Sequence, residues 1–216
     1  MDTFTTRDPD EDADTYPFLD YSANHWGGHF RKASISEDTL IDRAIEICDP
    51  TSTSYSIWPR NCWVPKSNLT KECSALLTAS FFGHVEIVKK LLDTEVDVNS
   101  KDKEWKQAPL LWASGNGREA IVKLLLQVEK VDVDSKNMND RTPLSEAAMS
   151  GHEAIVKLLL ETEKVGVDSK DNIGRTPLLR AAMNGHEAIV KLLLETGKVD
   201  VNSKDGIGRT PLLWAV

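Results

Sequence analysis

No run in this chain approaches 18 consecutive apolar residues, so it offers no membrane-spanning helix. Its first residues, MDTFTTRDPDEDADT, lack the basic flank and apolar core of a signal peptide. Cysteine is scarce. Cys48, Cys62 and Cys73 are odd in number and form no Cys-x-x-Cys pair, which suits free thiols in the cytoplasm or nucleus and argues against secretion. The one sequon, Asn68-Leu69-Thr70, then reads as a chance match. Positive charge is also short: 26 Lys and Arg against 34 Asp and Glu leave a net charge of −8. That balance argues against nucleic acid or an anionic membrane surface as partner, since both need a basic face.

What is present is a period. Pro109, Pro143, Pro177 and Pro211 lie 34 residues apart, and so do Gly83, Gly117, Gly151 and Gly185. Four units follow this frame, and a fifth stops at GRTPLLWAV. The first unit has Ala75 where the others have proline, with one residue fewer before Val96 and one more near Trp105.

Each unit parses physically. Proline at the first helical position loses no hydrogen bond and presets φ. The preceding Thr142, Thr176 or Thr210 can cap the helix it opens. A short helix such as 177–184 follows, with Ala181 and Ala182 permitting close packing, and Gly185 ends it. A second helix, from His186 to about Glu195, is too apolar for a single buried stripe, so it must pack on its partner and on neighbouring units. Its polar face carries Glu86–Lys90, Glu119–Lys123, Glu153–Lys157 and Glu187–Lys191, four apart. The crossing segment VDVNSKDGIG turns its valines inward. Asn99, Asp134, Asp168 and Asn202 share one place in it, where short polar side chains close turns and tolerate left-handed angles.

These residues closely resemble the ankyrin repeat: Thr-Pro-Leu, Ala-Ala, Gly-His, Ile-Val-x-Leu-Leu-Leu and Val-Asp-Val-Asn, recurring in register over residues 70–216. The usual His after Thr-Pro-Leu is Ser145, Leu179 or Leu213 here, which should weaken one turn bond. The resemblance implies an all-α solenoid of about four full L-shaped repeats and a truncated fifth, with antiparallel helix pairs and projecting hairpins.

Residues 1–15 are acidic with little to bury and read as disordered. Residues 16–69 read as a helical segment and linker. SEDTLIDRAIEIC (36–48) has a helical stripe of Leu40, Ile41, Ala44, Ile45 and Cys48, and Trp58 and Trp63 are expected to dock on the first repeat. The pattern from Phe18 to His29 resembles a helical segment that precedes ankyrin arrays in fungal NACHT-type signalling NTPases. That resemblance implies a link to the sensor half of such a receptor. No Gly-x-x-x-x-Gly-Lys-[Ser/Thr] occurs, so nucleotide hydrolysis is not expected.

Chemistry is thin elsewhere. GNGREA (115–120) mimics a dinucleotide fingerprint, but it should follow a helix and shares its frame with MSGHEA and MNGHEA. His25 and His29 lack a third metal ligand. His84, His152 and His186 recur at a structural joint, which favours packing. No cofactor, metal or catalytic group is expected.

What remains is surface. Positions that change between repeats are Thr78, Trp112, Glu146, Arg180 and Trp214 on the first helices, and Phe81, Asn116, Met149 and Met183 before the glycine. The loop tips carry Trp105, Met138, Ile173 and Ile207. Trp, Arg and Met are enriched in interfaces, so this set, on the concave face and loop tips of the array, is the expected site for a protein or peptide. At the last unit, Leu212, Leu213, Trp214 and Val216 lack a covering helix, and each exposed apolar side chain forfeits about 1.5–3 kcal/mol. Fraying or self-association is expected there.

Overall fold

Proline opens the first helix of each repeat after the first. The computed structural model describes residues 71–214, with side chains from Ala75 onward. The acidic N-terminus, the 16–69 segment with its Phe18–His29 pattern, the side chain of Cys73, and Val216 all lie outside the described residues. The helix pairs are α1 (Lys71–Phe82) with α2 (Val85–Leu92), and α3 (Pro109–Gly115) with α4 (Glu119–Leu126). They continue as α5 (Pro143–Ser150) with α6 (Glu153–Glu161), and α7 (Pro177–Met183) with α8 (Glu187–Glu195). A short 3₁₀ turn, Pro211–Trp214, ends the series. No strand occurs among the described residues.

The starts follow the residues. Pro109, Pro143 and Pro177 occupy the first turn, and the Thr142 and Thr176 hydroxyls accept the Ser145 and Leu179 N–H groups at 3.3 Å. In α1, Ala75 has an N–H to donate and no ring, so the helix runs back to Lys71. Gly83, Gly117, Gly151 and Gly185 take positive φ at the joint between paired helices.

First helices pack on first helices and second on second, and each also packs on its own partner. This buries the second helix against its partner and its neighbours, leaves its Glu–Lys face exposed, and gives one continuous core. Val88, Val122 and Val156 are fully buried, whereas their counterpart Val190 is half-buried because no later second helix covers it among the described residues. Lys123, Lys157 and Lys191 pair with the glutamates four residues back, and Glu86 is held by Lys89, three residues on. The Glu153 carboxylate bonds Lys157 and raises its pKa, by hydrogen bond first and charge second. The same contact between Lys191 and Glu187 raises the first and lowers the second.

One reading changes. Asn99, Asp134 and Asp168 do not close their own turns, and none has positive φ. They reach to the next repeat: Asn99 accepts the Asp132 N–H at 2.8 Å, Asp134 that of Gly166 at 2.9 Å, and Asp168 that of Asp200 at 2.8 Å. Asp97, Asp132 and Asp200, two residues before Asn99, Asp134 and Asn202, close the turn instead. Among the described residues, the left-handed non-glycine ones are Lys106, Asp140 and Glu163.

Candidate interaction surface

Each hairpin is organised by one buried polar side chain: Asp102, Asn137, Asp171 and Asp205. In the last two, one carboxylate oxygen accepts the N–H groups two and four residues on, Ile173 with Arg175 and Ile207 with Arg209. The Asn137 oxygen does the same for Asn139 and Arg141. Asp102 closes a hairpin one residue longer, receiving Trp105 and Gln107.

In the first three hairpins the same group also meets the first helix at one of the variable positions. Trp112 Nε1 donates to Asp102 at 3.1 Å, and Asn137 Nδ2 donates to Glu146 at 2.9 Å. The Arg180 guanidinium donates to Asp171 through both Nε, at 2.9 Å, and Nη2. Donor and acceptor are matched in every case. Where the hairpin residue is aspartate the helix supplies a donor, and where it is asparagine the helix supplies an acceptor, with Arg141 3.4 Å from Glu146 as counter-charge. Trp112, Glu146 and Arg180 are therefore only 9%, 8% and 6% exposed. Their variation has an internal cause that the interface reading did not include. In the last hairpin Arg209 takes Asp205 and lies 4.6 Å over the Trp214 ring, leaving Trp214 Nε1 without a partner among the described residues.

Burial alone would push the Asp205 carboxyl up, but the Arg209 N–H and guanidinium and the Ile207 N–H hold it below the usual carboxylate range. A lowered folded pKa means that this group's stabilisation is present at neutral pH and disappears as pH falls through the folded value. An NMR titration should place the Asp205 midpoint below that of ordinary aspartate, with the Arg209 side-chain signals moving in step. A midpoint at the ordinary value would show that Arg209 does not hold it.

A second ladder joins the repeats at the glycine joint. Arg118 Nε donates to Phe81 O at 2.9 Å, His152 Nε2 to Gly115 O at 3.1 Å and His186 Nε2 to Met149 O at 3.1 Å. A carbonyl oxygen only accepts, so Nε2 carries the proton in both histidines. His152 and His186 thus tie neighbouring repeats together at the joint, and His84 is buried at the equivalent place. GNGREA follows α3 and supplies this joint, and no metal-binding cluster occurs among the described residues.

The expected site residues separate by depth. Thr78, Trp112, Glu146 and Arg180 are buried. Phe81, Asn116, Met149, Met183 and Trp214 are half-buried. Phe81 packs edge-on against Trp112 at 5.2 Å, and Asn116 Nδ2 bonds Trp112 O at 2.8 Å. Arg180 Nη1 reaches Met149 Sδ at 3.8 Å. Of the expected residues, the exposed ones are those at the hairpin tips: Trp105 39%, Met138 50%, Ile173 45% and Ile207 74%. The tips are tied in series, since Met138 N–H bonds Trp105 O, Asn172 N–H bonds Asn139 O, and Gly206 N–H bonds Ile173 O. Met138 stands one place ahead of the others, with Asn139 at the position of Ile173 and Ile207.

Beside the last repeat lies a groove of about 670 Å³ lined by Leu178, Ala182, Val190, Leu194, Pro211 and Leu212, among others. Leu212 and Leu213 are 76% and 63% exposed. No helix among the described residues is long and apolar enough to cross a membrane.

A family model described as Ankyrin repeats (3 copies) matches residues 75–171 and 163–216. No curated protein matches the chain. The family match covers most of the chain and spans the paired helices, glycine joints and stacked hairpins, so the chain belongs to the ankyrin-repeat family, whose members generally mediate protein–protein interaction.

Proposed function

We propose that this chain is a non-enzymatic interaction module that takes a protein or peptide partner along its hairpin tips and the shelf beside them. The observation that carries this reading is the exposure of Trp105, Met138, Ile173 and Ile207 on tips held rigidly in series. Phe81, Asn116, Met149 and Met183 form the shelf, where half-burial leaves surface without free rotation. Trp112, Glu146 and Arg180 shape that surface from below through their hairpin bonds.

The test is a random peptide display library selected on the intact chain. Selected peptides should bind the Met138→Ser/Ile173→Ser/Ile207→Ser variant at least about 10-fold more weakly, equivalent to about 1.4 kcal/mol. The variant's thermal unfolding should be unchanged, because these side chains are exposed. Undiminished binding would reject the tips as the site.

The alternative reading, a sensor fragment of a NACHT-type signalling NTPase, rests on the Phe18 to His29 pattern alone. Genomic sequence upstream of Met1 tests it. An in-frame phosphate loop would support it, and a long upstream stretch without one would count against it.

A further inference from the structure

The tips differ in charge from the chain as a whole. Despite the net charge of −8, Lys101, Lys136, Lys170 and Lys204 stand exposed beside the tips, one per repeat. Lys101 Nζ and Lys170 Nζ lie along the row, donating to Lys136 O at 2.8 Å and Lys204 O at 3.3 Å. None of the four is in an ion pair among the described residues. The first tip adds Lys103 and Lys106, and the exposed acids here are Glu104 and Asp140. The three aspartates that organise hairpins are buried, Asp171 and Asp205 against arginines and Asp102 against Trp112, whereas Asp97, Asp132 and Asp200 are exposed four residues before Lys101, Lys136 and Lys204. The apolar tips therefore run beside a positive row on an acidic protein.

Geometry limits what can lie on that row. Successive first helices pack directly on one another, and packed helix axes lie about 8–10 Å apart, so equivalent tip residues stand about 8–10 Å apart. A β-strand repeats its face about every 6.7 Å and falls out of step after one repeat. A helix buries an apolar stripe at least about 100° wide, which needs a groove, whereas the tips form a ridge one side chain across. A polyproline II chain has three residues per turn and rises about 9.3 Å per turn, so every third side chain meets a successive tip.

We infer that the tip row accepts an acidic peptide in the polyproline II conformation, with apolar residues three apart on Ile173 and Ile207 and acidic residues toward Lys170 and Lys204. This rests on the proposed function and gives its partner a chemical class. Ile173 and Ile207 are the primary pair because they occupy the same place in adjacent hairpins; Asn139 interrupts the row before them.

The probe is a labelled peptide of four Leu-Glu-Pro triplets, measured by fluorescence anisotropy on the full chain. Controls are four Leu-Lys-Pro triplets and a peptide of the first composition with its leucines two and four apart. The acidic triplet peptide should bind at least about 10-fold more tightly than either control. Its affinity should fall as salt rises, and fall about 10-fold in Ile173→Ser/Ile207→Ser. Equal binding of the lysine peptide would overturn the charge assignment, and equal binding of the irregular peptide would overturn the spacing. If library-selected peptides depend on the tips while the acidic triplet peptide does not bind, this inference fails and the tip reading stands. If selected peptides ignore the tip substitutions, the tip reading itself falls.

Discussion

Changing Asp171 to asparagine should destabilise the protein by about 3–5 kcal/mol, the range seen when one member of a buried ion pair is removed. The Asp171 side chain is fully buried and the Arg180 side chain is 7% exposed, so neither charge can turn to water. Asparagine can still accept the Ile173 and Arg175 N–H groups, but its amide then faces the guanidinium, donor against donor. Arg180→Glu should be as damaging, since it sets a second carboxylate against Asp171. The double variant D171N/R180E reproduces Asn137–Glu146, and Arg175 occupies the place of Arg141 as counter-charge. It should recover at least about 2 kcal/mol relative to the sum of the single changes, a coupling expected of residues in one network. Urea unfolding measures this, with an unchanged m-value showing that cooperativity of the array survives. Additive losses would refute donor–acceptor matching as the reason these positions vary. It also follows that truncating Trp112 or Arg180 alters the fold as well as any surface, so neither is a clean probe of binding.

Gly151→Ala should cost about 2–5 kcal/mol, and Gly185→Ala only about 1–2 kcal/mol. Both glycines have positive φ, 81° and 70°, which costs an L-residue about 1–2 kcal/mol. Only Gly151 is also overlain. A Cβ there would stand 2.7 Å from His186 Cε1, while at Gly185 it meets nothing within 4 Å. The added cost is that of overpacking, about 1–3 kcal/mol, because His186 is held in place by Met149 O. In a His186→Ala background the Gly151→Ala penalty should fall to that of Gly185→Ala. Equal penalties at the two glycines in the parent chain would show that the ring simply moves aside.

Much of the architecture was open to reading from the chain. Prolines at 34-residue intervals located the helix starts, and α8 begins at Glu187, one residue after the His186 expected to open it. The match of Asp102, Asn137 and Asp171 to Trp112, Glu146 and Arg180 was also present, at spacings of 10, 9 and 9 residues. It was missed because a change between repeats reads equally as freedom in solvent or as a compensated pair. Asn99, Asp134 and Asp168 were misassigned for a related reason. A polar residue in a tight segment suits a local turn, and nothing local shows that the N–H it serves lies 32 or 33 residues away.

The sequence by itself determined the repeat, the ends of its helices and the family, because proline, threonine, glycine and apolar spacing act within a few neighbouring residues. The tertiary structure alone decided depth: which variable side chains became locks and which stayed at the surface. Arg180 and Ile173 are both large and both variable, yet one is sealed against Asp171 and the other stands on a tip. The physical reason is that exposure depends on what the adjacent hairpin and helix cover, and in a solenoid that cover comes from the next repeat along the stack.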